Sequence, residues 1–242
     1  MLVEGRTHIG PVRKENQDDF KINMFDDGTI LAVVCDGMGG ASSGKEASGI
    51  AVNAIYDRIT KGYNPKMEVN SIKNLLLTAV NASNSMVYTE SVKDNGKNGM
   101  GTTCVAAIVK NDVACIASVG DSRAYIINND GISQITNDHT YVEMLYEQGR
   151  ITKEQITEHK MRHVITKAIG TESNIDVDYF EIDFAKDSVL LLCTDGLTSY
   201  CSNEMIFDYA YHKDLSKAAD ELIDYVNTHG GKDNITVVMI RN

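Results

Sequence analysis

The sequence lacks the features that divide a chain into separate units. It contains 2 prolines among 242 residues, and no internal repeat, low-complexity stretch or Pro/Gly/Ser-rich linker interrupts it. The apolar fraction of 43% is too high for a disordered chain. A chain of this length buries roughly 70–75% of its unfolded surface without staples. We therefore predict one folded domain over residues 1–242.

The sequence also lacks paired cysteines. Its 5 cysteines are an odd number, no Cys-x-x-Cys pair occurs, and four of them lie inside apolar runs. A disulfide framework or a structural zinc site needs paired ligands at typical spacings. We interpret the cysteines as buried free thiols of a protein in the reducing cytoplasm.

Two further absences concern membranes and nucleic acids. No apolar run approaches the ~20 residues of a membrane-spanning helix, and the first residues contain no signal-peptide core. The net charge of −11, from 34 acidic and 23 basic residues, has the wrong sign for a protein that neutralises nucleic-acid phosphates. We expect a soluble cytoplasmic protein that binds neither. The acidic excess is either ordinary surface charge or, for a few residues, a set of ligands for cations.

Runs of apolar, β-branched residues predict buried strands. These runs cover 30–35, 102–109, 113–119, 189–193 and 235–240, and the segments 123–127 and 132–135 flank a hairpin turn. Apolar residues at helical spacing predict helices over 47–59, 72–87 and 215–226. Many connections are too short for a crossover helix, which favours antiparallel sheets. The pattern predicts layered sheets covered by helices.

Four aspartates stand at the ends of these predicted strands. Asp36, Asp121 and Asp195 each follow a strand, and Asp233 stands two residues before one. Three of them have a glycine directly beside them. A single aspartate in such a place is best explained as a turn residue. Four together favour a shared function.

The chemistry of such a group favours metal binding if the strand ends meet. Two carboxylates ~4 Å apart repel each other by ~4 kcal/mol at an effective dielectric constant near 20. A divalent cation removes this repulsion, and oxygen ligands without His or Cys suit Mg²⁺ or Mn²⁺. Two such ions activate a water and hold the oxygens of a displacement at phosphorus. The spacing alone leaves open whether the strand ends converge.

Two polar segments have no decisive interpretation from their residues alone. Arg13 offers a rigid fork of donors for a phosphate dianion, although an exposed arginine is usually only solvated. Asp18 and Asp19 would ordinarily be surface charges. The polar stretch 139–163 is either an excursion over a site or a pair of surface helices.

Six motifs occur in an order that resembles the PPM/PP2C protein phosphatases, in their compact bacterial branch. The motifs are Arg13-x-x-Asn16-Gln17-Asp18, Asp36-Gly-Met-Gly-Gly40, Gly101-Thr-Thr103, Gly120-Asp-Ser-Arg123, Asp195-Gly196 and Asp233-Asn234. Each motif is weak alone, but six in order are highly specific and span about residues 5–240. The resemblance implies an α+β fold, an α-β-β-α four-layer sandwich with two central antiparallel sheets flanked by helices. It also implies a flap at about 138–170 over a metal site.

The resemblance further implies a centre of two Mn²⁺ or Mg²⁺ ions. By motif match, Asp36 would bridge the two ions and Gly37 would give its carbonyl oxygen to one of them. Asp195 and Asp233 would hold the other ion, and Asp18 would assist through a bound water.

A weaker third ion and the substrate complete the implied site. Asp121, together with Asp195, matches the position of the third ion, and Arg13 would bind the substrate phosphate. Asp36 and Arg13 would thus be the catalytic residues of a protein-serine/threonine phosphatase. The implied partners are phosphorylated proteins and a cognate Ser/Thr kinase, and we expect a monomer.

Three residues depart from the family pattern. Met38 stands where eukaryotic members carry a histidine proposed as general acid, so the leaving-group proton must come from elsewhere. Gln17 replaces a frequent glutamate, and His163 replaces the more usual asparagine near the end of the flap. Two alternatives remain: a metal-dependent phosphodiesterase or nuclease, which the acidic charge disfavours, and a non-catalytic regulator, which the complete set of ligands disfavours.

Overall fold

Two antiparallel sheets and the helices that cover them are built from residues 1–40, 43–93 and 99–242, the ranges that the computed structural model describes. The strands are β1 (Leu2–His8), β2 (Asp18–Met24), β3 (Ile30–Met38), β4 (Gly101–Thr102), β5 (Cys104–Lys110), β6 (Val113–Val119), β7 (Arg123–Asn128), β8 (Gly131–Gln134), β9 (Asp178–Asp183), β10 (Val189–Cys193) and β11 (Ile235–Arg241). The helices are α1 (Ser43–Gly62), α2 (Val69–Ser91), α3 (Tyr141–Glu147), α4 (Lys153–Glu158), α5 (Asp195–Thr198), α6 (Asn203–His212) and α7 (Leu215–Thr228). No helix in these ranges is long and apolar enough to cross a membrane.

The strands form two sheets that share no strand. Sheet I has the order β1-β11-β10-β7-β8, and sheet II has the order β2-β3-β5-β6-β9, with the short β4 paired to the end of β3. Within the described ranges, every strand pair is antiparallel. The antiparallel pairing agrees with the sequence prediction, and short connections link three of these pairs, β2–β3, β5–β6 and β7–β8.

Three apolar layers hold the four structural layers together. Along β3, Ile30 and Val34 lie between the two sheets, whereas Leu31 and Val33 face α1 and α2. On the other side, α6 and α7 cover the outer face of sheet I. Because both faces of the central strands are buried, each fully buried Val, Leu or Ile contributes about 1.5–3 kcal/mol. The arrangement confirms the predicted α-β-β-α sandwich.

Two differences between the predicted and observed strand boundaries concern Asp36. The strand predicted at 102–109 is interrupted at Thr103, whose hydroxyl accepts a hydrogen bond of 2.9 Å from the backbone N–H of Asp36. Asp36 lies inside β3 rather than after it, because β3 continues as far as Met38 by pairing with β4. The extra pairing fixes the backbone on both sides of this aspartate.

The segment 138–170 leaves the sheets and returns to them. It contains α3 and α4, and Val142 and Leu145 of α3 are buried. An isolated bridge joins Thr140 to Ile165, and Ile169 exchanges two backbone hydrogen bonds of 2.8 and 3.0 Å with Thr102. The bridge therefore joins the two ends of the segment to each other, and Ile169 attaches them to β4.

Candidate metal and phosphate site

Both sheets place aspartates at the same end of the sandwich. Asp18 and Asp36 are register partners on the neighbouring strands β2 and β3 of sheet II. Asp195 follows β10 and Asp233 precedes β11, two neighbouring strands of sheet I. Asp121 lies in the turn from β6 to β7, where the chain passes from sheet II to sheet I. The strand ends that the sequence left separate thus converge.

Asp18 is buried, with 7% of its surface exposed, and its two carboxylate oxygens differ. Oδ2 accepts hydrogen bonds from the hydroxyls of Thr236 (2.7 Å) and Thr194 (2.9 Å). Oδ1 is buried and has no hydrogen-bond partner among the described residues. Burial, with repulsion from Asp195 and Asp233, raises the pKa of Asp18 to about 7, although both hydroxyls oppose the shift.

Asp36 lies at the centre of the electrostatic repulsion. Burial first, and then the charges of Asp18, Asp195, Asp121 and Asp233, raise its pKa well above the ordinary value. Its backbone is fixed, because its carbonyl oxygen accepts a hydrogen bond of 2.8 Å from the backbone N–H of Thr103. A carboxylate held in this position favours either a proton or a cation.

Gly37 and Gly196 allow close approach of other backbone segments. A Cβ atom on Gly37 would collide with the carbonyl oxygen of Gly44, in the first turn of α1. A Cβ atom on Gly196 would collide with the carbonyl oxygen of Asn234. Each glycine directly follows a candidate ligand, Asp36 or Asp195. The missing side chain lets another backbone segment pack directly beside that carboxylate.

Asp121 is also buried, with 7% exposure. Burial, with repulsion from Asp195 and Asp138, raises its pKa to about 7. The next residue, Ser122, has its hydroxyl 2.7 Å from the hydroxyl of Thr103. The turn is therefore tied to the strand junction that also fixes Asp36.

Arg13 lies beside Asp233 rather than free in solvent. Its Nη2 donates to Asp233 Oδ2 at 2.6 Å and its Nε donates to the carbonyl oxygen of Lys232 at 3.1 Å. Half of the Arg13 side chain is exposed, at 50%. An arginine has five N–H donors, so three of them remain available at the mouth of the site.

Asn234 holds the loop that carries Arg13. Its Nδ2 donates to the carbonyl oxygens of Ile9 (2.8 Å) and Glu15 (3.0 Å), and its Oδ1 accepts from the backbone N–H of Gln17 (2.8 Å). Asn234 itself is 4% exposed. One buried side chain therefore fixes both ends of the loop.

The segment 138–170 reaches the site through two histidines. His163 Nδ1 lies 3.7 Å from Asp195 Oδ2, and this contact raises the pKa of His163. His139 is largely buried, and its Nδ1 accepts a hydrogen bond of 3.0 Å from the backbone N–H of Gly120, next to Asp121. Burial and the charge of Lys167 lower the pKa of His139. His139 thus links the segment to the Asp121 turn.

The donor set at this end of the sandwich fits a hard divalent cation. It consists of carboxylate and carbonyl oxygens, and a buried carboxylate oxygen of Asp18 lacks a partner. No three His, Cys, Asp or Glu side chains of the described ranges are close enough to hold an ion as they stand. Two of the carboxylates, those of Asp233 and Asp195, instead face Arg13 and His163.

Sequence reasoning missed the residues that position the aspartates. Thr194, Thr236 and His139 received no role, and Asn234 entered only as part of the Asp233-Asn234 motif. Thr194 directly precedes Asp195, Asn234 directly follows Asp233, and Thr236 lies in β11. Threonine in an apolar run is a signal for such a role, because a buried hydroxyl needs a partner. The sequence does not say which partner.

Comparisons with known proteins agree on one family. The family model described as protein phosphatase 2C matches residues 4–237. The serine/threonine phosphatase stp of Listeria innocua is 37% identical over 243 residues, which cover 99% of this chain and 95% of that protein.

Solved structures agree with this assignment. The serine/threonine phosphatase Stp1 from Staphylococcus aureus superposes with a TM-score of 0.91 at 33% identity, covering 99% of this chain and 94% of that one. The catalytic domain of the phosphatase PstP, solved in complex with 2 manganese ions, superposes with a TM-score of 0.84 at 27% identity, covering 98% and 96%.

Proposed function

Because the chain belongs to the protein phosphatase 2C family, we propose that it hydrolyses phosphoserine and phosphothreonine monoesters on other proteins. The observation that carries this proposal is the convergence of five aspartates from both sheets beside one half-exposed guanidinium. Carboxylates in such number favour bound cations, and the guanidinium adds a donor fork for a phosphate dianion.

We propose that two Mn²⁺ or Mg²⁺ ions are held by Asp36, the carbonyl of Gly37, Asp195, Asp233 and, through water, Asp18. The 2 manganese ions bound to the related PstP domain support this number. When bound, the ions would supply Lewis-acid chemistry at phosphorus and lower the pKa of a water that attacks it. Asp121 and Asp195 are our candidates for a weaker third ion.

The chain's own residues would bind and orient the substrate phosphate. Arg13 binds the phosphate dianion with the N–H donors that Asp233 and Lys232 leave available. The loop that carries Arg13 keeps its position through Asn234. Met38, two residues after Asp36, has no proton to donate, so the side chain at this position takes no part in leaving-group protonation.

The physiological setting is proposed from the relatives. The curated relatives named as serine/threonine phosphatases support phosphorylated proteins as substrates, and a Ser/Thr kinase is the enzyme class that makes such substrates. We expect a monomeric protein that acts in the cytoplasm.

Turnover of a phosphothreonine peptide in Mn²⁺ buffer tests the proposal, with EDTA and a phosphodiester substrate as controls. Asp36→Asn should lower kcat by several orders of magnitude, because the proposed centre would lose a carboxylate ligand and its negative charge. Asp130→Asn, an exposed aspartate in the turn at the far end of β7, is the matched control and should behave as wild type. Retention of more than about a tenth of the activity in Asp36→Asn, against the 10²–10³-fold loss typical of key electrostatic groups, would exclude Asp36 from the centre. Faster hydrolysis of the phosphodiester than of the phosphothreonine peptide would contradict the phosphatase assignment and favour a phosphodiesterase.

A further inference from the structure

A line of side chains leads from the outer strand of sheet I to Asp18 of sheet II. The hydroxyls of Thr7 and Thr236 are 2.8 Å apart, and Asn16 Nδ2 donates to Thr7 Oγ1 at 2.9 Å. Thr236 Oγ1 and Thr194 Oγ1 both donate to Asp18 Oδ2. Thr7 of β1 and Thr236 of β11 both belong to sheet I, whereas Asp18 belongs to β2 of sheet II, so this line crosses from one sheet to the other between Thr236 and Asp18.

The direction of each hydrogen bond follows from the available protons. An ionised carboxylate only accepts hydrogen bonds, so Thr236 and Thr194 each donate their single hydroxyl proton to Asp18. The Thr236 oxygen must then accept from Thr7, and the Thr7 oxygen accepts from the amide of Asn16. Asn16 also accepts from the backbone N–H of Asp18 at 3.2 Å, which closes the network on the same residue.

We propose that Thr236, Thr194 and Thr7 are positioning residues that fix which oxygen of Asp18 faces the metal centre. The two hydroxyls occupy Oδ2 and leave Oδ1, which is buried without a described partner, as the oxygen directed to a bound ion or its water. Without them, the carboxylate can rotate about its Cβ–Cγ bond and exchange the two oxygens. This inference rests on the proposed function, since it gives Asp18 the role of an assisting ligand.

Removing a hydroxyl without changing the shape of the side chain tests the network. Thr236→Val removes the direct donor, Thr7→Val removes the donor behind it, and Thr236→Ser keeps a hydroxyl. Thr29→Val is the matched control, because Thr29 directly precedes β3 and is buried at 1% exposure. Its hydroxyl lies 2.7 Å from the hydroxyl of Tyr63, at the opposite end of β3 from Asp36. Mn²⁺ affinity is measured by titration calorimetry, and kcat and KM are measured for a phosphothreonine peptide.

Partners behind a metal ligand typically contribute 10–100-fold to metal affinity or activity. We expect Thr236→Val to weaken Mn²⁺ binding and lower kcat by about tenfold with KM unchanged, and Thr7→Val to cause a smaller loss of the same kind. Thr236→Ser should recover most of the loss, and Thr29→Val should leave Mn²⁺ affinity unchanged. In an Asp18→Asn background, Thr236→Val should cause no further loss of Mn²⁺ affinity, because the two changes act on one interaction.

Three results would overturn the inference: wild-type Mn²⁺ affinity in Thr236→Val, a loss in Thr236→Ser equal to that in Thr236→Val, or additive losses in the Asp18→Asn background. Thr7 is exposed at the surface, so Thr7→Val gives an answer even where Thr236→Val does not fold. The binding arm needs no substrate. A wild-type protein that binds Mn²⁺ but fails to hydrolyse the peptide would end the proposed function, while the calorimetric cycle would still decide the network.

Discussion

Without metal ions, the stability of this protein should fall as the pH rises. Asp18 and Asp121 each have a pKa raised from 3.8 to about 7, chiefly by burial. The folded protein therefore keeps these protons up to about pH 7, whereas the unfolded chain releases them near pH 4. Because the folded state binds more protons in this window, the free energy of unfolding decreases as the pH rises through it.

The expected effect is large. A pKa difference between 3.8 and about 7 corresponds to roughly 4 kcal/mol for one carboxyl. At about 2–4 °C per kcal/mol for a chain of this size, one carboxyl alone lowers the Tm by roughly 8–16 °C across the window. The pKa of His163 is raised by Asp195, and its contribution is also lost as the pH rises, through its folded-state pKa. Mn²⁺ should remove most of the dependence, since the ion takes the place of the protons.

The measurement is thermal and urea unfolding at intervals between pH 5 and pH 8, with EDTA and with Mn²⁺. Asp18→Asn cannot titrate at this position and should make the EDTA curve less steep, although Asp121 still titrates, whereas Asp130→Asn, exposed in the β7–β8 turn, should leave the curve unchanged. An EDTA curve that is flat or rises with pH would refute the reasoning. So would an equal stabilisation by Mn²⁺ at pH 5 and pH 8.

Three further changes test separate parts of the site. Arg13→Ala should raise KM by roughly tenfold, the effect of losing a charge-assisted hydrogen bond, with partial recovery in Arg13→Lys; wild-type kinetics would remove Arg13 from the site. Asp121→Ala should abolish only the weak component of Mn²⁺ activation and lower kcat, and an unchanged activation curve with an unchanged kcat would dismiss the third ion. Asn234→Ala should lower stability by about 2–4 kcal/mol and raise KM, because buried groups lose their partners and the Arg13 loop loosens. Urea unfolding within about 0.5 kcal/mol of wild type, the range of a neutral surface change, would contradict this role for Asn234.

Apart from β7 and β8, which the hairpin turn between them indicates, the strands that the sequence predicts are buried at nearly every residue. β10 (Val189–Cys193) is buried at every residue, and its predicted bounds match the structure. In contrast, β1, β2 and β9 lie at sheet edges with mostly half-buried residues, and none of them was predicted. Apolar and polar residues alternate only weakly along these three strands, because neighbouring elements cover their faces only in part. An edge strand is defined by its partner, and a local pattern does not contain the partner.

The residues of the candidate site also fall into those that a local sequence pattern indicates and those that it does not. Asp36, Asp195 and Asp233 were found because each adjoins a run of buried residues, which a sequence shows directly. Asp18 adjoins a half-buried strand, and only the family resemblance drew attention to it. The hydrogen bond from Thr236 to Asp18 spans 218 residues of sequence, so nothing local indicates it. A sequence shows which residue types stand at the ends of strands. Which of these residues contact each other across the two sheets depends on how the sheets pack.

The packing of the sheets also explains how the aspartates stay together. Two carboxylates ~4 Å apart repel by about 4 kcal/mol at an effective dielectric constant of 20, and burying a Val or Leu side chain contributes about 1.5–3 kcal/mol. Two or three buried aliphatic residues therefore offset one close carboxylate pair. The core supplies them directly behind the site: Val34 lies two residues before Asp36, and Leu192 lies three residues before Asp195. The sandwich thus holds the candidate ligands together against their repulsion, and the attraction of a bound cation would then be available for function.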